Sequence, residues 1–325
     1  MHKPTVTTTE ILLPIWQRVL HLQSIEIDDN FFALGGDSAV ALELFDQVSR
    51  TFGKELPPAM IYHAPTIAAL ASILEQITIP PFPPLVRMRD GTCDPPVFVT
   101  HGVGGSVMDF FQVIKHLRTT RAVYGMQAKG IDGVDAPFDR IEDMARYSLT
   151  AVKQLQPQGP YILIGYSLGG LVALEIAQEL HRRGETVALL AMVDSYPHFS
   201  QLSPGQRTGL IIRKMLRYAD RELRQLSLRP SSERAAESPS PTMRRFRESG
   251  YLALGHYRPA FYRGRIRFVR AAEHTDFPSN PTAVWAHYAE ELLVDTVPGD
   301  HHEIMTTHSE ALGELLSRYI KESLS

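Results

Sequence analysis

The sequence predicts an α/β domain with a mostly parallel sheet, preceded by a small all-helical bundle. Seven apolar, strand-like segments alternate with helical periodicity between residues 85 and 297. This alternation is typical of a parallel sheet with helices on its faces. The first 77 residues contain helical segments alone. The predicted strands start near Leu85, Val97, Ala122, Tyr161, Val187, Arg265 and Leu292.

Length and composition agree with two domains inside a cell. The chain has 325 residues, 44% of them hydrophobic, which is enough for one small and one medium core. Its single cysteine, Cys93, excludes an intramolecular disulfide and agrees with a reducing compartment. No apolar run reaches membrane-spanning length. We therefore expect a cytoplasmic protein without a membrane partner. The formal charge of -3 argues against nucleic-acid binding.

A proline-rich stretch at 77–84 separates the two parts of the chain. Such a stretch is extended and semi-rigid, and it limits how far the first domain can swing. We predict the helical domain at 8–77, the linker at 78–95 and the sheet domain at 96–325. Within the last, a helical insertion at about 197–262 is expected to form a lid.

A nucleophile elbow is predicted at 165–170, where the sequence reads Gly-Tyr-Ser-Leu-Gly-Gly. An apolar run at 161–164 precedes it and a helical pattern at 171–183 follows, which supplies the strand, tight turn and helix that the elbow requires. The glycines lie two residues to either side of Ser167, where side chains would collide with a strained turn. These flanks favour catalysis by Ser167 over a merely structural turn.

The elbow predicts an orienting acid after a later strand. Asp194 follows the buried, strand-like run at 187–193, and the carboxyl ends of parallel strands are where such folds place their chemistry. Asp276 is the competitor, because it follows the strand-like segment at 265–272. Glu273 is a weaker third candidate. We prefer Asp194.

The general base is expected after the last strand. His301 follows a Pro-Gly-Asp turn at 298–300 and precedes a helical pattern at about 308–322. This position predicts that His301 takes the proton of Ser167 and is held in one tautomer by the acid. The neighbouring His302 is the alternative, since adjacent loop residues rarely point the same way.

The oxyanion formed by attack on a carbonyl needs two backbone N–H donors. Leu168, directly after the nucleophile, is the first candidate. The second is Val103, in the glycine-rich loop at 101–105 that follows the strand-like segment 96–100. This loop lacks the G-x-x-x-x-G-K pattern of a phosphate-binding loop, so nucleotide binding is disfavoured. No metal site is predicted.

A second serine, Ser38, closes the string Leu-Gly-Gly-Asp-Ser at 34–38 and precedes an amphipathic helical pattern. Taken alone, Ser38 would be interpreted as a helix N-cap. However, the string resembles the phosphopantetheine attachment site of peptidyl carrier proteins of nonribosomal peptide synthetases, whose core is L-G-G-x-S. Ala39 departs from the Leu or Ile that carriers more often have. Helices near 9–22, 57–62 and 67–77 complete a small four-helix bundle.

The whole chain resembles a carrier domain joined to a type I thioesterase, the terminal part of a nonribosomal peptide synthetase or hybrid polyketide assembly line. The motifs that carry the second resemblance are 165–170, 193–197 and 299–305. The resemblance implies an α/β-hydrolase domain with a helical lid and a 4′-phosphopantetheine arm on Ser38. It also implies a thioesterase that releases an acyl or peptidyl chain by hydrolysis or cyclisation. The implied partners are upstream synthetase modules, either condensation and adenylation domains or a ketosynthase, and a phosphopantetheinyl transferase.

Two alternatives remain at the level of sequence. The chain is a stand-alone or editing thioesterase or esterase, or it is a non-catalytic carrier and docking module. The intact carrier serine disfavours the first alternative, and the complete set of triad candidates disfavours the second.

Helical runs at 205–226 and 243–257 are expected in the lid, which is rich in arginine. A solvated helix face is the default interpretation. The functional alternative is attraction of the acidic carrier or of the pantetheine phosphate. The arginines are Arg207, Arg213, Arg217, Arg221, Arg224, Arg229, Arg244, Arg245 and Arg247, and the carrier acids are Asp28, Asp29, Asp37, Glu43 and Asp46.

Overall fold

The computed structural model describes residues 7–76, 82–132, 135–211, 241–273 and 277–324. The first part is a helical bundle, as predicted. Its elements are α1 (Thr8–Leu20), α2 (Ser38–Phe52), a 3-10 helix (Pro58–Tyr62) and α3 (Ile67–Leu74). No helix among the described residues is long and apolar enough to cross a membrane.

Local sequence signals start and hold these helices. Thr7 and Glu10 form a capping box at α1, in which each side chain accepts a bond from the other residue's backbone N–H. The short predicted helix at 57–62 is a 3-10 helix that begins at Pro58. Trp16 and Leu44 lie in the bundle core and are fully buried, so burial of their apolar surface stabilises the bundle.

The second part contains a seven-stranded sheet in the order β1-β3-β2-β4-β5-β6-β7. β1 runs antiparallel to β3, and the other neighbours are parallel. Every predicted strand is present. The strands are β1 (Leu85–Arg89), β2 (Cys93–Thr100), β3 (Arg121–Met126), β4 (Tyr161–Tyr166), β5 (Val187–Val193), β6 (Tyr262–Ala271) and β7 (Ala289–Val297).

Helices cover both faces of the sheet. α5 and α6 share a buried cluster on one face. On the other face, α4 and α9 belong to a cluster that continues into the core of the carrier bundle. The helices are α4 (Phe111–His116), α5 (Ile141–Leu155), α6 (Leu168–Arg182), α7 (Pro241–His256), α8 (Pro281–Trp285) and α9 (Ser309–Glu322).

The boundaries differ from the predictions in several places, including β2, which begins at Cys93 rather than near Val97. The sheet begins at Leu85, inside the segment that we assigned to the linker at 78–95. β6 and β7 each begin three residues earlier than predicted. The sequence does not reveal these starts, because the first residues are partly exposed and lack the apolar run that marks a buried strand. Of the first predicted lid helix, residues 204–211 are helical, and the remainder falls in 212–240, outside the described residues.

Candidate active site

Ser167 lies between β4 and α6 in the strained conformation that an elbow requires. Its φ of 56° and ψ of -121° are outside the regions that residues with a side chain favour. The Ser167 N–H donates to the Val193 carbonyl on the neighbouring strand at 2.9 Å. This bond fixes the turn against the centre of the sheet, where strands β2, β4 and β5 lie side by side.

The elbow closes only because glycines surround it. A Cβ atom on Gly165 would lie 2.2 Å from the Gly169 carbonyl oxygen. One on Gly169 would lie 2.3 Å from the His101 carbonyl oxygen and 2.4 Å from that of Thr100. All three distances are far below contact range, so the first turn of α6 can pack on the end of β2 only without side chains here.

Asp194 directly follows β5, at the carboxyl end of the sheet. It has a φ of 43°, and its N–H donates to the Val269 carbonyl at 2.7 Å. Its side chain is only 1% exposed. One carboxylate oxygen, Oδ1, accepts a bond from the Ala271 N–H at 3.2 Å. The backbone of β6 therefore holds the carboxylate and leaves Oδ2 for a partner.

His301 connects this acid to Ser167. Its Nδ1–H donates to Asp194 Oδ2 at 2.8 Å, and its Nε2 accepts from the Ser167 hydroxyl at 3.1 Å. The geometry is that of a serine nucleophile, a general base and an orienting acid. His302 is exposed; its ring lies edge-on to the His301 ring at 5.3 Å, and its backbone N–H donates to Asp300 Oδ1 at 2.8 Å. Together with the Glu303 N–H, this bond keeps the pKa of Asp300 low.

Two aromatic rings enclose the His301 imidazole. The Tyr166 ring stacks on it at a centroid distance of 4.8 Å, and the Phe277 ring lies 4.7 Å away at a tilt of 50°. The Tyr166 hydroxyl also donates to the His301 carbonyl at 2.8 Å. Phe277 in turn stacks on Tyr196 at 5.2 Å. The imidazole is thus held in one plane by residues on both sides.

The candidate oxyanion donors lie beside the nucleophile. Leu168 is the first residue of α6, so its N–H has no partner within the helix. Val103 lies in the turn that follows β2. The buried Gln127 braces this loop, since its amide group donates to the Gly105 carbonyl and accepts from the Val107 N–H, both at 3.2 Å.

A carboxyl group lies in the same loop. Asp109 Oδ2 accepts from the Gly102 N–H at 3.2 Å. Burial raises the pKa of Asp109 to about 6, although the Gly102 bond and the nearby His301 oppose that increase. The neighbouring His101 is buried, and its burial lowers its pKa to about 4. The Asp109 carboxyl is therefore uncharged below about pH 6, and the His101 imidazole is uncharged above about pH 4.

The lid helix α7 packs directly on the glycine loop. A Cβ atom on Gly105 would lie 2.5 Å from the Phe246 ring, and one on Gly250 would lie 2.7 Å from Val103 Cγ2. The lid thus contacts the residue that is predicted to supply the second oxyanion donor. Arg244, Arg245 and Arg247 are exposed on this helix.

Ser38 is not the N-cap of its helix. Asp37 fills that role, because its Oδ1 accepts from the Ala39 and Val40 N–H groups, both at 3.0 Å. The half-buried Ser38 is the first residue of α2. Just before it, Gly35 has a φ of 91°, and a Cβ on Gly36 would lie 2.3 Å from the Phe31 ring. The glycines thus close a tight turn that leaves the serine hydroxyl outside the cap, which fits attachment of a phosphopantetheine arm.

Of the two other acid candidates, only Glu273 lies in the part of the chain that the structure describes, and it does not join this constellation. Asp276 falls in 274–276, outside the described residues. Glu273 is exposed just beyond β6, and its N–H donates to the Gly299 carbonyl at 3.0 Å. Two surface cavities, of about 510 and 630 Å³, lie elsewhere and are lined by neither Ser167 nor His301.

Sequence reasoning missed Tyr166, Phe277, Gln127 and Asp109. Tyr166 occupies a variable position of the elbow motif, so the motif predicts no role for it. Gln127 offers a usable signal, since it is a polar residue directly after an apolar strand, at the carboxyl edge of the sheet.

The fold and these residues define a serine hydrolase of the α/β-hydrolase class. Comparison with known families agrees. The thioesterase domain family matches residues 95–321, and the phosphopantetheine attachment site family matches residues 10–74. The chain therefore belongs to the thioesterase domain family. It is a thioesterase joined to a carrier domain that provides the attachment site for 4′-phosphopantetheine.

Longer synthases match parts of this chain. The chain is 32% identical over 287 residues to the dimodular nonribosomal peptide synthase of Bacillus subtilis (strain 168), which covers 82% of this chain and 12% of that protein. It is 34% identical over 182 residues to the indigoidine synthase of Dickeya dadantii (strain 3937), covering 56% of this chain and 12% of that protein. The chain thus spans a small part of these relatives.

Solved structures share the fold. A holo four-domain nonribosomal peptide synthetase bound to AMP and glycine aligns with a TM-score of 0.60 and 24% identity, over 98% of this chain and 26% of that one. The NocB thioesterase domain from the nocardicin cluster aligns with a TM-score of 0.52 and 22% identity, over 70% of this chain and 93% of that one.

Proposed function

We propose that the chain is the release unit of a nonribosomal peptide or hybrid assembly line, with Ser38 as the attachment residue and Ser167 as the acceptor of the acyl group. The observation that carries this proposal is the continuous bond path from Asp194 through His301 to Ser167. When attached, the arm presents the acyl or peptidyl group as a thioester.

In the first half-reaction, the Ser167 oxygen attacks the thioester carbonyl. His301 Nε2 takes the hydroxyl proton, and Asp194 stabilises the imidazolium that forms. The N–H groups of Leu168 and Val103 stabilise the oxyanion. As the carbon–sulfur bond breaks, His301 returns its proton to the departing thiolate, and the acyl group remains as an ester on Ser167.

In the second half-reaction, His301 acts as base again. It deprotonates either water or a nucleophile within the acyl chain, which then attacks the Ser167 ester. Water gives a free acid, whereas an internal nucleophile gives a macrocycle or lactone. The lid helix α7, which packs on the oxyanion loop, is positioned to control which nucleophile enters.

Upstream synthetase modules are the proposed source of the acyl chain, and a phosphopantetheinyl transferase is the proposed donor of the arm. The similarity of both domains to parts of much longer synthetases supports this assignment. A stand-alone esterase would have no use for the glycine turn and free serine at the start of α2.

Intact-protein mass spectrometry tests the proposal. Ser38 is loaded with a synthetic acyl-pantetheine by a broad-specificity transferase, and the acyl mass is followed with time. We expect the wild type and His302→Ala to shed it, and Ser167→Ala and His301→Ala to retain it. Rapid release by Ser167→Ala contradicts the acyl-enzyme mechanism. Failure to load the wild type, or equal loading of Ser38→Ala, contradicts the role of Ser38.

A further inference from the structure

We propose that Phe32 of the carrier and Phe111 of the thioesterase form a docking contact that speeds acyl transfer from Ser38 to Ser167. This inference rests on the proposed function. The two rings stack with their centroids 5.8 Å apart and their planes within 25°. Phe32 lies in the loop that leads to Ser38, and Phe111 is the first residue of α4. The contact therefore joins the attachment loop of one domain to the catalytic domain.

Other aromatic and charged groups support the pair from both sides. On the carrier, the Tyr62 ring lies 5.0 Å from that of Phe32, and Phe31 contacts Phe32 edge-on at 5.5 Å. On the thioesterase, the Lys115 ammonium lies 4.3 Å from the centre of the Phe111 ring, a favourable cation–π distance. Burial raises the pKa of Tyr62. Phe111 is buried, and Phe32 and Tyr62 are half-buried.

The linker residue Phe82 contacts both domains. The Phe82 ring packs edge-on against His63 of the carrier at 5.5 Å. Its backbone N–H donates to Asp132 of the thioesterase domain at 3.4 Å. The buried apolar cluster is continuous from the bundle core to α4. The carrier is thus held at two points, rather than tethered by the chain alone.

The docked orientation turns the attachment helix toward the active-site loop. A cavity of about 290 Å³ lies between α2 and the glycine loop. Leu42 lines it from the carrier, Gly104 and Ser106 line it from the loop, and Phe246 lines it from the lid. Leu42 is 53% exposed and lies one helical turn from Ser38 on the same helix face. The cavity therefore connects the helix face that carries Ser38 with the loop that carries Val103.

The experiment uses the full chain with Phe32→Ala, Phe111→Ala and the double variant. The first readout is the rate at which the acyl mass leaves Ser38. The second is hydrolysis of a soluble N-acetylcysteamine thioester, which reaches Ser167 without the carrier. The third is the radius of gyration from small-angle X-ray scattering. Phe52→Ala is the matched control, since Phe52 is a half-buried phenylalanine of the carrier outside the aromatic contact.

We expect each single variant to slow transfer about 3- to 10-fold, as the strength of an aromatic pair implies. The double variant should be little slower than either single one, because both remove the same contact. Hydrolysis of the soluble thioester should stay unchanged, and the radius of gyration should increase. Phe52→Ala should match the wild type in transfer rate and radius.

Three results would overturn the docking contact. These are unchanged transfer and radius in both single variants, an equal loss of soluble-thioester hydrolysis, or a double variant as slow as the product of the single effects. Loading by the transferase confirms that the Phe32→Ala carrier is folded, and Phe111→Ala tests the contact without altering the carrier. If the wild type releases no acyl group, the proposed function fails, whereas the radius still reports whether the domains dock.

Discussion

Ser38 and Ser167 both lie at the start of a helix, but their surroundings differ in almost every respect. Ser38 follows the Asp37 cap, which already accepts from two N–H groups of the first turn, and among the described residues no basic side chain is hydrogen-bonded to the Ser38 hydroxyl. Ser167 occupies the N-cap position of α6 without forming a side-chain cap bond, and it has a φ of 56° and an imidazole nitrogen 3.1 Å from its hydroxyl oxygen. In the proposed function, one hydroxyl is presented to an external enzyme, and the other is activated in place.

The difference shows how similar local sequences serve opposite needs. The glycines before Ser38 close a tight turn that presents the serine. The glycines that flank Ser167 instead allow backbone segments to pack so closely that a Cβ atom would not fit between them. The strained backbone of Ser167 persists because the neighbouring strands of the sheet hold the turn in place. A carrier serine needs exposure, whereas a nucleophile needs a fixed direction.

The largest expected effect is a double dissociation between the two serines. Ser167→Ala should reduce hydrolysis of a soluble thioester by at least about 10⁴-fold, yet still accept the phosphopantetheine arm. Ser38→Ala should not accept the arm but should hydrolyse the soluble thioester at the wild-type rate, because its thioesterase site is untouched. Steady-state rates and intact mass measure the two properties in the same samples. If Ser38→Ala lost hydrolysis of the soluble substrate, the two sites would not be independent.

The acid that orients His301 should matter almost as much. Asp194→Asn keeps the shape of the side chain but favours the wrong tautomer of the imidazole, so we expect a loss on the order of 10⁴-fold in kcat. Asp276→Asn is the control and should change kcat little, since Asp194 already bonds to His301. The reverse pattern would assign the acid role to Asp276. Asp194→Asn should leave loading of Ser38 unaffected.

Much of this arrangement follows from the sequence. The elbow, the acid after β5 and the histidine after β7 are each marked by a strand followed by a polar residue, and the structure brings Ser167, Asp194 and His301 together. The fold class follows from the same alternation of strands and helices. These features are local in the chain, so a pattern can reveal them.

The remainder depends on packing between distant segments. Tyr166 and Phe277 enclose His301 from elements more than 100 residues apart, and no local pattern encodes that meeting. Ser38 looked like an N-cap in isolation because Asp37 and Ser38 are both good capping residues. Only the backbone bonds at Ala39 and Val40 decide between them.

The third prediction tests the constrained backbone near Ser167. Gly169→Ala would place a Cβ 2.3 Å from a backbone carbonyl oxygen that cannot move without β2, so we expect a loss of about 2–4 kcal/mol in free energy of unfolding. Gly255→Ala, in α7 with open space around it, should instead stabilise the protein by about 0.5 kcal/mol. Urea denaturation measures both. A Gly169→Ala variant as stable as the wild type would contradict the close approach.

The fourth prediction tests how His301 is held. Tyr166→Phe keeps the stacked ring and loses only the bond to the His301 carbonyl, so we expect kcat to decrease about 2- to 5-fold. Tyr166→Leu removes both contacts and should lower kcat about 10- to 100-fold, with KM nearly unchanged, because the effect falls on the transition state. Steady-state kinetics with a soluble thioester separate the two parameters. Equal effects of the two substitutions would show that the ring does not position the imidazole.

The smallest effect concerns the buried carboxyl beside the Ser167 loop. Burial raises the pKa of Asp109 to about 6 from an ordinary value of 3.8. Between these values the folded protein binds a proton that the unfolded chain has released, so the contribution of Asp109 to stability is lost as pH rises through this window.

Asp109→Asn does not titrate and can still accept the Gly102 bond. We therefore expect its free energy of unfolding, relative to the wild type, to rise by about 2 kcal/mol between about pH 4 and 7. His101, whose pKa is lowered, contributes the opposite slope, but it is present in both proteins and cancels in the difference. Urea denaturation of both proteins across this range measures the difference directly. If the difference does not change with pH, Asp109 is not the buried acid that this geometry indicates.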